Sequence, residues 1–415
     1  MADSSGTSEG IFEQYKRDYL FHFTRLLNKV LVEPEMIQIM LTNRCNIKCR
    51  ICEVWKQTPG EEMSTDVIKH LIDQAVGMGI KTIYMTGGEA FLRKDIFELI
   101  DYSARPGITT TVNTNGSFIT DELAKKIVSS KLRNITFSLD GATAKTHDAI
   151  RGEGVFEKAV RAVEYINHYK KELNRDGFAH EEQCLNVGLT SVIMKINIEE
   201  LPELVNLAQR LQCCYICFQP LVQNGNLLES SDFKTDFWIE GQDISRLERI
   251  FGELEQIKIN RSSRIGVDFM PEKTIQHFKR QRTVNSCFAG FTRIFVSTVG
   301  DISFVCFPSF GNIHTDLLRQ SWLSEKAFGI RRQLKSCAVN CTQFCSERPC
   351  SDSIQEIHQR FREGIHALQV LDQDRLIAQE CNFLQSMSEL VSAADITENE
   401  KAKTLGEIKQ ALFRQ

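Results

Sequence analysis

Short apolar runs alternate with amphipathic stretches from Met36 to about Gln219, and this repeated switch from strand-like to helix-like periodicity predicts β-α units and a parallel sheet. The six strand candidates are Ile37 to Thr42, Thr82 to Thr86, Thr109 to Asn113, Ile135 to Leu139, Leu185 to Val192 and Tyr215 to Gln219. Between them the spacing predicts helices over Thr65 to Met78, with Ser64 as N-cap, and around Asp95 to Ser103, Thr120 to Ser130, Phe156 to Tyr169 and Ile198 to Leu211. Six such units with right-handed crossovers curl into a partial barrel, short of the eight that close a full TIM-type barrel. The expected class is therefore α/β, a partial (β/α)6 barrel of the TIM type over residues 36–220.

Outside that span the pattern changes. Residues 1–35 hold one helix, Ile11 to Val30, and form an N-terminal extension. Residues 221–286 read as a connecting module with a helix near Ile244 to Ile257 and a strand candidate, Ile265 to Phe269. Residues 287–350 are rich in cysteine and contain a predicted β-hairpin, with Ile294 to Ser297 and Ile302 to Cys306 flanking a turn at Gly300 and Asp301. Residues 351–415 form a helical tail, where Ile354, Ile357, Phe361, Ile365 and Leu368 recur at spacings of three and four. The tail is expected to pack on the body or on a second subunit.

Composition narrows the function classes. The formal charge of −4, from 50 basic and 54 acidic residues, gives no electrostatic argument for nucleic-acid binding. No apolar run approaches the roughly 18 residues that a membrane span needs. The polar start, Met1 to Gly10, lacks the apolar core of a secretory signal, so the expected location is the cytoplasm. Fourteen cysteines in such a chain call for metal or cluster binding, since disulfides are rare in a reducing compartment. Three fall between Cys45 and Cys52, and six between Cys287 and Cys350, which implies two separate sites.

Directly after the first strand, Cys45-Asn-Ile-Lys-Cys49-Arg-Ile-Cys52 offers three thiolates on one loop. A structural zinc site takes four protein ligands, whereas a cubane cluster held by three cysteines leaves one iron open. A zinc knuckle with a distant fourth ligand is the plainer alternative. The three-cysteine spacing resembles the signature of the radical S-adenosylmethionine superfamily. In that superfamily the amino and carboxylate groups of the cofactor's methionine moiety chelate the open iron. The aromatic residue usual before the third cysteine is Ile51 here, a packing position, and Trp55 stands close enough in sequence to compensate.

The resemblance continues at the ends of the later strands. Gly87, Gly88 and Glu89 resemble the family's glycine–glycine–glutamate motif, which implies close backbone approach and a carboxylate accepting from the cofactor's ammonium. The polar turn Asn113-Thr114-Asn115-Gly116 implies a lining of the substrate side, with Asn115 among the cofactor contacts. Ser138 and Asp140 alternate along one strand and point the same way, toward the cofactor's ribose by the resemblance. His147 and Arg151 follow, with Arg151 a partner for the cofactor's carboxylate, and Val192 would pack on the adenine. Taken singly these have plainer readings: a turn with a surface glutamate, a surface ion pair for Arg151, a solvated His147.

The second cysteine group, Cys287, Cys306, Cys337, Cys341, Cys345 and Cys350, resembles the SPASM or twitch extension of such enzymes, which implies one auxiliary 4Fe–4S cluster and leaves room for a second. Cys287, Cys306, Cys337 and Cys341 are its expected ligands, with Cys345 an alternative, and a structural zinc at Cys337 to Cys350 remains the other option. Cys213, Cys214 and Cys217, with Cys184 and Cys381, read as buried structural thiols. The implied function is reductive cleavage of S-adenosylmethionine to a 5′-deoxyadenosyl radical that takes hydrogen from a substrate carbon, for a net oxidation such as dehydrogenation or peptide crosslinking. Epimerisation and a non-catalytic iron–sulfur or zinc scaffold are the alternatives. The implied partners are a small-molecule or peptide substrate and an electron donor such as a flavodoxin or ferredoxin.

Overall fold

The computed structural model describes residues 8–57, 60–175, 185–222, 237–259, 265–279, 288–304, 307–335, 353–367 and 373–413. Helix α1 (Ser8–Leu27) precedes β1 (Met36–Met40). The repeating part then runs α2 (Thr65–Gly77), β2 (Thr82–Thr86), α3 (Ile96–Ser103), β3 (Thr109–Thr114), α4 (Asp121–Ser129), β4 (Asn134–Ser138), α5 (Ala144–Arg151), α6 (Val155–Arg175), β5 (Asn186–Ile193), α7 (Leu201–Arg210) and β6 (Tyr215–Pro220). These six strands lie side by side in chain order and all pair in parallel. Each return passes through a helix, as parallel neighbours require. The partial α/β barrel expected from the periodicity is what the chain forms.

Two further strands lengthen the sheet. After α8 (Gln242–Ile259), β7 (Gly266–Asp268) pairs in parallel with β6. After α9 (Pro271–Phe278) and the short α10 (Ala289–Thr292), β8 (Arg293–Val296) pairs in parallel with β1 at the opposite edge. The predicted hairpin then forms, β8 turning through Gly300 into β9 (Asp301–Ser303), with β10 (Gly311–Asn312) antiparallel beyond it. The connecting module and the hairpin thus continue the barrel sheet at its two edges.

Burial along the strands separates two faces. On β1, the fully buried Ile37 and Ile39 alternate with part-exposed Met36, Gln38 and Met40. On β2 and β6, Ile83, Met85, Ile216 and Phe218 are buried, while Tyr84, Thr86, Tyr215, Cys217 and Gln219 are partly exposed. The buried set packs in one core with Leu71 and Ile72 of α2 and Leu99 and Ile100 of α3. Each such side chain contributes about 1.5–3 kcal/mol when fully buried. The other face is polar and lines the inside of the barrel. Helix starts follow the sequence signals: Ser64 accepts from the Val67 amide, Thr120 from Leu123 and Thr143 from Thr146.

The C-terminal part adds α11 (Leu318–Trp322), α12 (Glu325–Lys335), α13 (Ile354–Ala367), α14 (Gln373–Ser392) and α15 (Glu398–Phe413). The tail packs against α1: Tyr19, Phe21 and Phe23 share a second core with Ile354, Ile357, Leu384, Val391 and Ile408. Inside that core Glu380 is buried and is held by the Tyr19 hydroxyl and by His358 Nδ1 at 3.0 Å. No described helix is long and apolar enough to cross a membrane.

The inside of the barrel is shaped at one point by a missing side chain. A Cβ on Gly188 would lie 2.1 Å from Tyr215 Cζ, so the phenol ring of β6 occupies the space beside β5 and reaches Thr136, hydroxyl to hydroxyl at 2.6 Å. Gly188→Ala is expected to lower the unfolding free energy by about 1–3 kcal/mol through overpacking. Combining it with Tyr215→Leu should recover part of that loss in urea titrations. Strictly additive effects of the two changes would show that ring and glycine do not share this space.

Candidate active site

The loop after β1 is fastened by the loop after β2. Strand pairing runs on past both ends: Leu41 donates to Thr86 O at 2.8 Å, Gly88 to Thr42 O at 2.7 Å and Glu89 to Arg44 O at 2.8 Å. A Cβ on Gly87 would stand 2.5 Å from Thr42 O, and one on Gly88 2.3 Å from Arg44 O. Both obstacles are backbone and cannot swing aside. The two glycines therefore bring the two loops together, where the sequence suggested approach to a bound cofactor.

Glu89 carries the fastening to the next loop. It is 1% exposed, with Oε1 accepting from the Phe91 amide at 3.2 Å and the Thr114 hydroxyl at 2.9 Å, and Oε2 from the Asn115 amide at 2.8 Å. Burial pushes its pKa above the usual carboxylate range, against the pull of those donors. A surface glutamate is excluded. Asn115 in turn donates from Nδ2 to Asn46 at 3.0 Å and lies 3.8 Å from Cys45 Sγ. Its Oδ1 accepts from Ser117 N and Oγ at 2.8 and 2.6 Å.

On the other side, the cysteine loop meets α5. Arg50 N donates to Ile150 O at 2.9 Å, and the Trp55 indole donates to Cys49 O at 3.1 Å. Arg151 bonds Asp140 Oδ2 through Nε at 2.6 Å and sits 3.9 Å from Cys49 Sγ through Nη1. Asp140 is fully buried, and its second oxygen accepts from Val192 N at 2.8 Å. Burial opposes the Arg151 charge, but Asp140 and the nearby thiols outweigh it and hold the guanidinium protonated. His147 is also fully buried, so the solvated reading fails; its Nδ1 accepts from Asp140 N at 3.1 Å. Burial first, and the Arg151 charge second, push His147 down to about 4. Nε2 of this neutral ring has no partner among the described residues.

Cys49 is 6% exposed, and burial pushes its thiol up to about 11, with Arg151 pulling the other way. Burial raises Cys45 as well. Among the described residues no three His, Cys, Asp or Glu side chains are set to hold a single metal ion. With a zinc–sulfur bond of about 2.3 Å, a lone ion would need its sulfurs drawn tightly together. Cys45, Cys49 and Cys52 on this one loop are three thiols, where a structural zinc ion takes four protein ligands and a cluster held by three cysteines would leave one iron open.

The predicted residues thus fall into one region: Cys45, Cys49, Cys52, Gly87, Gly88, Glu89, Asn115, Ser138, Asp140 and Val192 lie at the C-terminal ends of β1 to β5 or on the loops that follow them, and Arg151, the last residue of α5, reaches Asp140 there. Three supports were not visible in the sequence. Arg93 grips Asp95 at 2.7 and 3.0 Å and donates to Leu41 O and Met63 O at 2.9 and 2.8 Å, holding the start of the cysteine loop. Asn197 Nδ2 bridges Asp140 O and Val192 O at 2.7 and 2.8 Å. Glu200 accepts from Ala142 N at 2.7 Å at the start of α5. No spacing rule marks any of these. Cys184, Cys287, Cys306, Cys337, Cys341, Cys345 and Cys350 lie outside the described residues. Of the thiols read as structural, Cys213 is buried, Cys217 and Cys381 are intermediate and Cys214 is exposed. A groove of ≈ 490 Å³ between α8 and α9, edged by Glu248, Glu255 and Glu272, has no residue of the cysteine loop in its lining.

Residues 39–208 match the family model described as the radical SAM superfamily. The AdoMet-dependent heme synthase of Methanosarcina barkeri is 26% identical over 326 residues, covering 74% of this chain and 87% of that protein. The mycofactocin maturase MftC of Mycobacterium tuberculosis is 37% identical over 172 residues, covering 41% of this chain and only 40% of that protein's length. Among solved structures, Streptococcus suis SuiB bound to S-adenosylmethionine aligns with a TM-score of 0.58 at 17% identity, over 74% of this chain and 70% of that one, a likeness of fold.

The buried His147 gives the site an acid limit. Its folded pKa of about 4 lies below the unfolded value of about 6.5, so its contribution is complete above the unfolded value and is lost as pH falls through that interval. In urea titrations from pH 7 to 4, His147→Gln is expected to show a shallower loss of stability than the parent, by roughly 2–3 kcal/mol over the range. Parallel pH profiles for the two proteins would refute the assignment.

Proposed function

The chain belongs to the radical SAM superfamily, and from that premise we propose that Cys45, Cys49 and Cys52 hold a 4Fe–4S cluster with one iron left open to S-adenosylmethionine. Held there, the cluster would supply the one-electron reduction that cleaves S-adenosylmethionine to methionine and a 5′-deoxyadenosyl radical able to take a hydrogen atom from a substrate carbon. The observation that carries this reading is the three-thiol loop clasped between the Gly87–Glu89 turn on one side and the Asp140–Arg151 pair on the other.

The remaining residues orient and enclose. Arg151 sets a positive charge against Cys49, where thiolates and the cofactor's carboxylate would gather negative charge. Glu89 has three of about four acceptor sites filled by protein donors, so it shapes the Asn115 turn and keeps room for one further donor, the cofactor's ammonium. Ser138 and Asp140 face the ribose, and Val192, whose amide is held by Asp140, packs on the adenine. Gly87, Gly88 and Asn115 position the loop itself.

The substrate is a molecule rich in hydrogen-bonding groups, a peptide segment or a polar small molecule. The relatives are named for a heme and for mycofactocin, so the support comes from the barrel's inner face, which presents Gln38, Tyr84, Thr86, Asn113, Thr136 and Thr190. The outcome is a net oxidation, dehydrogenation or crosslinking; Cys287, Cys306, Cys337 and Cys341, with Cys345 in reserve, would hold an auxiliary 4Fe–4S cluster that would supply an acceptor for the substrate's second electron. A flavodoxin or ferredoxin delivers the first electron.

Anaerobic reconstitution followed by reductant and S-adenosylmethionine is expected to yield 5′-deoxyadenosine, and Cys49→Ala to lower that yield at least a hundredfold with helix content unchanged. An iron-replete protein that forms no nucleoside would instead be a scaffold. Gly88→Ala is expected to lower the iron bound by Cys45, Cys49 and Cys52 several-fold, because its methyl would meet Arg44 O. Unchanged iron content in that variant would separate the glycine pair from cluster binding.

A further inference from the structure

Residues 60–63, between the cysteine loop and α2, are pinned from two directions. Met63 is buried; its amide donates to Thr298 O at 2.8 Å, in the turn between β8 and β9, and its carbonyl accepts from Arg93 Nη2 at 2.8 Å. A Cβ on Gly60 would stand 3.2 Å from Val299 Cγ1, so the segment runs close against that same turn. Glu62 lies between these two fixed residues, with its side chain 18% exposed. Its carboxylate is turned to the start of the cysteine loop: Oε1 accepts from the Thr42 hydroxyl, and Oε2 lies 3.3 Å from Arg44 Nη2.

The two contacts differ in kind. Arg44 is half exposed, and an ion pair in that setting contributes little. Thr42 is fully buried, and its hydroxyl oxygen already accepts from Arg44 N at 3.0 Å and Arg44 Nε at 3.3 Å. The hydroxyl hydrogen therefore needs an acceptor inside the protein, and Glu62 supplies it. Thr42 and Arg44 are also the residues whose carbonyls receive the Gly88 and Glu89 amides at 2.7 and 2.8 Å. Their backbone is thus held on one side by the glycine turn and on the other by Glu62. Cys45 follows directly.

We propose that Glu62 is a positioning residue of the cysteine loop, acting through the Thr42 hydroxyl to fix the backbone from which Cys45 leaves, with the β8–β9 turn as its footing. The proposal rests on the reading of Cys45 as a cluster ligand. What Glu62 contributes is an acceptor, and its negative charge is incidental. Without it the Thr42 hydroxyl must turn elsewhere, and the Gly88 and Glu89 rungs, which stand at the open end of the β1–β2 pairing, lose one of their two supports. Glu62 stands ten residues beyond Cys52, outside the three-cysteine pattern.

The test compares Glu62→Ala, Glu62→Gln, Thr42→Val and Arg44→Met in the full chain, first iron-free and then after anaerobic reconstitution. In the iron-free protein the Gly88 and Glu89 amides are expected to exchange with solvent about tenfold faster in Glu62→Ala and in Thr42→Val, and no faster when the two are combined. Glu62→Gln, whose amide oxygen still accepts from Thr42, and Arg44→Met should stay within about twofold of the parent. After reconstitution, the electron paramagnetic resonance signal that responds to S-adenosylmethionine is expected to fall roughly threefold in Glu62→Ala and to return in Glu62→Gln. Unchanged exchange in Glu62→Ala, or a loss in Glu62→Gln equal to that in Glu62→Ala, would overturn the proposal. Faster exchange with an undiminished signal would also overturn it, leaving Glu62 a support of the fold alone. A parent without any responsive signal would sink the reading of Cys45 as a ligand, and the exchange rates alone would then decide whether Glu62 holds the loop.

Discussion

Backbone lies directly on backbone where the turn after β2 crosses the cysteine loop, and the rest of the site is built outward from that contact. Among the described residues, the loop carrying Cys45, Cys49 and Cys52 has no strand and one short helical turn, Val54–Lys56, so its course is set by neighbours. Two additional rungs, Gly88 N to Thr42 O and Glu89 N to Arg44 O, extend the β1–β2 pairing into it. Each rung contributes about 0.5–1.5 kcal/mol, whereas a side chain forced into either gap would cost about 1–3 kcal/mol. The absence of two Cβ atoms thus outweighs the hydrogen bonds it permits. From there Glu89 passes the constraint to Asn115, and Asn115 returns it to Asn46 and Cys45.

The opposite wall is held by charge. A buried ion pair alone is weak support for a fold, because desolvation offsets most of the attraction. Arg151 and Asp140 escape that objection through their additional partners: Val192 N occupies the second carboxylate oxygen, and Asn197 closes the adjoining carbonyls. Arg331 shows the contrasting case. It is fully buried with two carbonyl acceptors, and among the described residues it has no carboxylate partner and Nη2 has no acceptor.

Much of this was legible in the sequence because parallel β-α units write themselves locally. The strands from Ile37 to Gln219, the Ser64 cap and the hairpin at Gly300 all follow from short-range pattern. Edge pairing does not. Nothing in Ile265 to Phe269 or Ile294 to Ser297 announces that one strand will extend the sheet beside β6 and the other beside β1, since those contacts join distant parts of the chain. The same limit governs the site. Residue type and position selected Glu89, Asp140 and Arg151, but their partners Thr114 on β3, Val192 on β5 and Cys49 on the loop after β1 come from other parts of the chain. The glycine pair was marked for close approach to a cofactor, while the backbone it does approach, the carbonyls of Thr42 and Arg44, was invisible. Arg93 and Asn197 belong to no motif, and only the folded loops show what they hold.

The thiols add a constraint on the order of assembly. Burial keeps Cys49 and Cys45 in their protonated forms, so loading the proposed cluster must release protons from a site that resists negative charge. Arg151 is the cation that lowers this resistance at Cys49, and it stands there only because Asp140 is fixed by β4, the Val192 amide and α5. A loop folded without that wall would meet iron as neutral thiols in an apolar setting, where binding is weakest. The proposed cluster would thus draw on the Asp140–Arg151 wall for the positive charge that favours thiolate at Cys49.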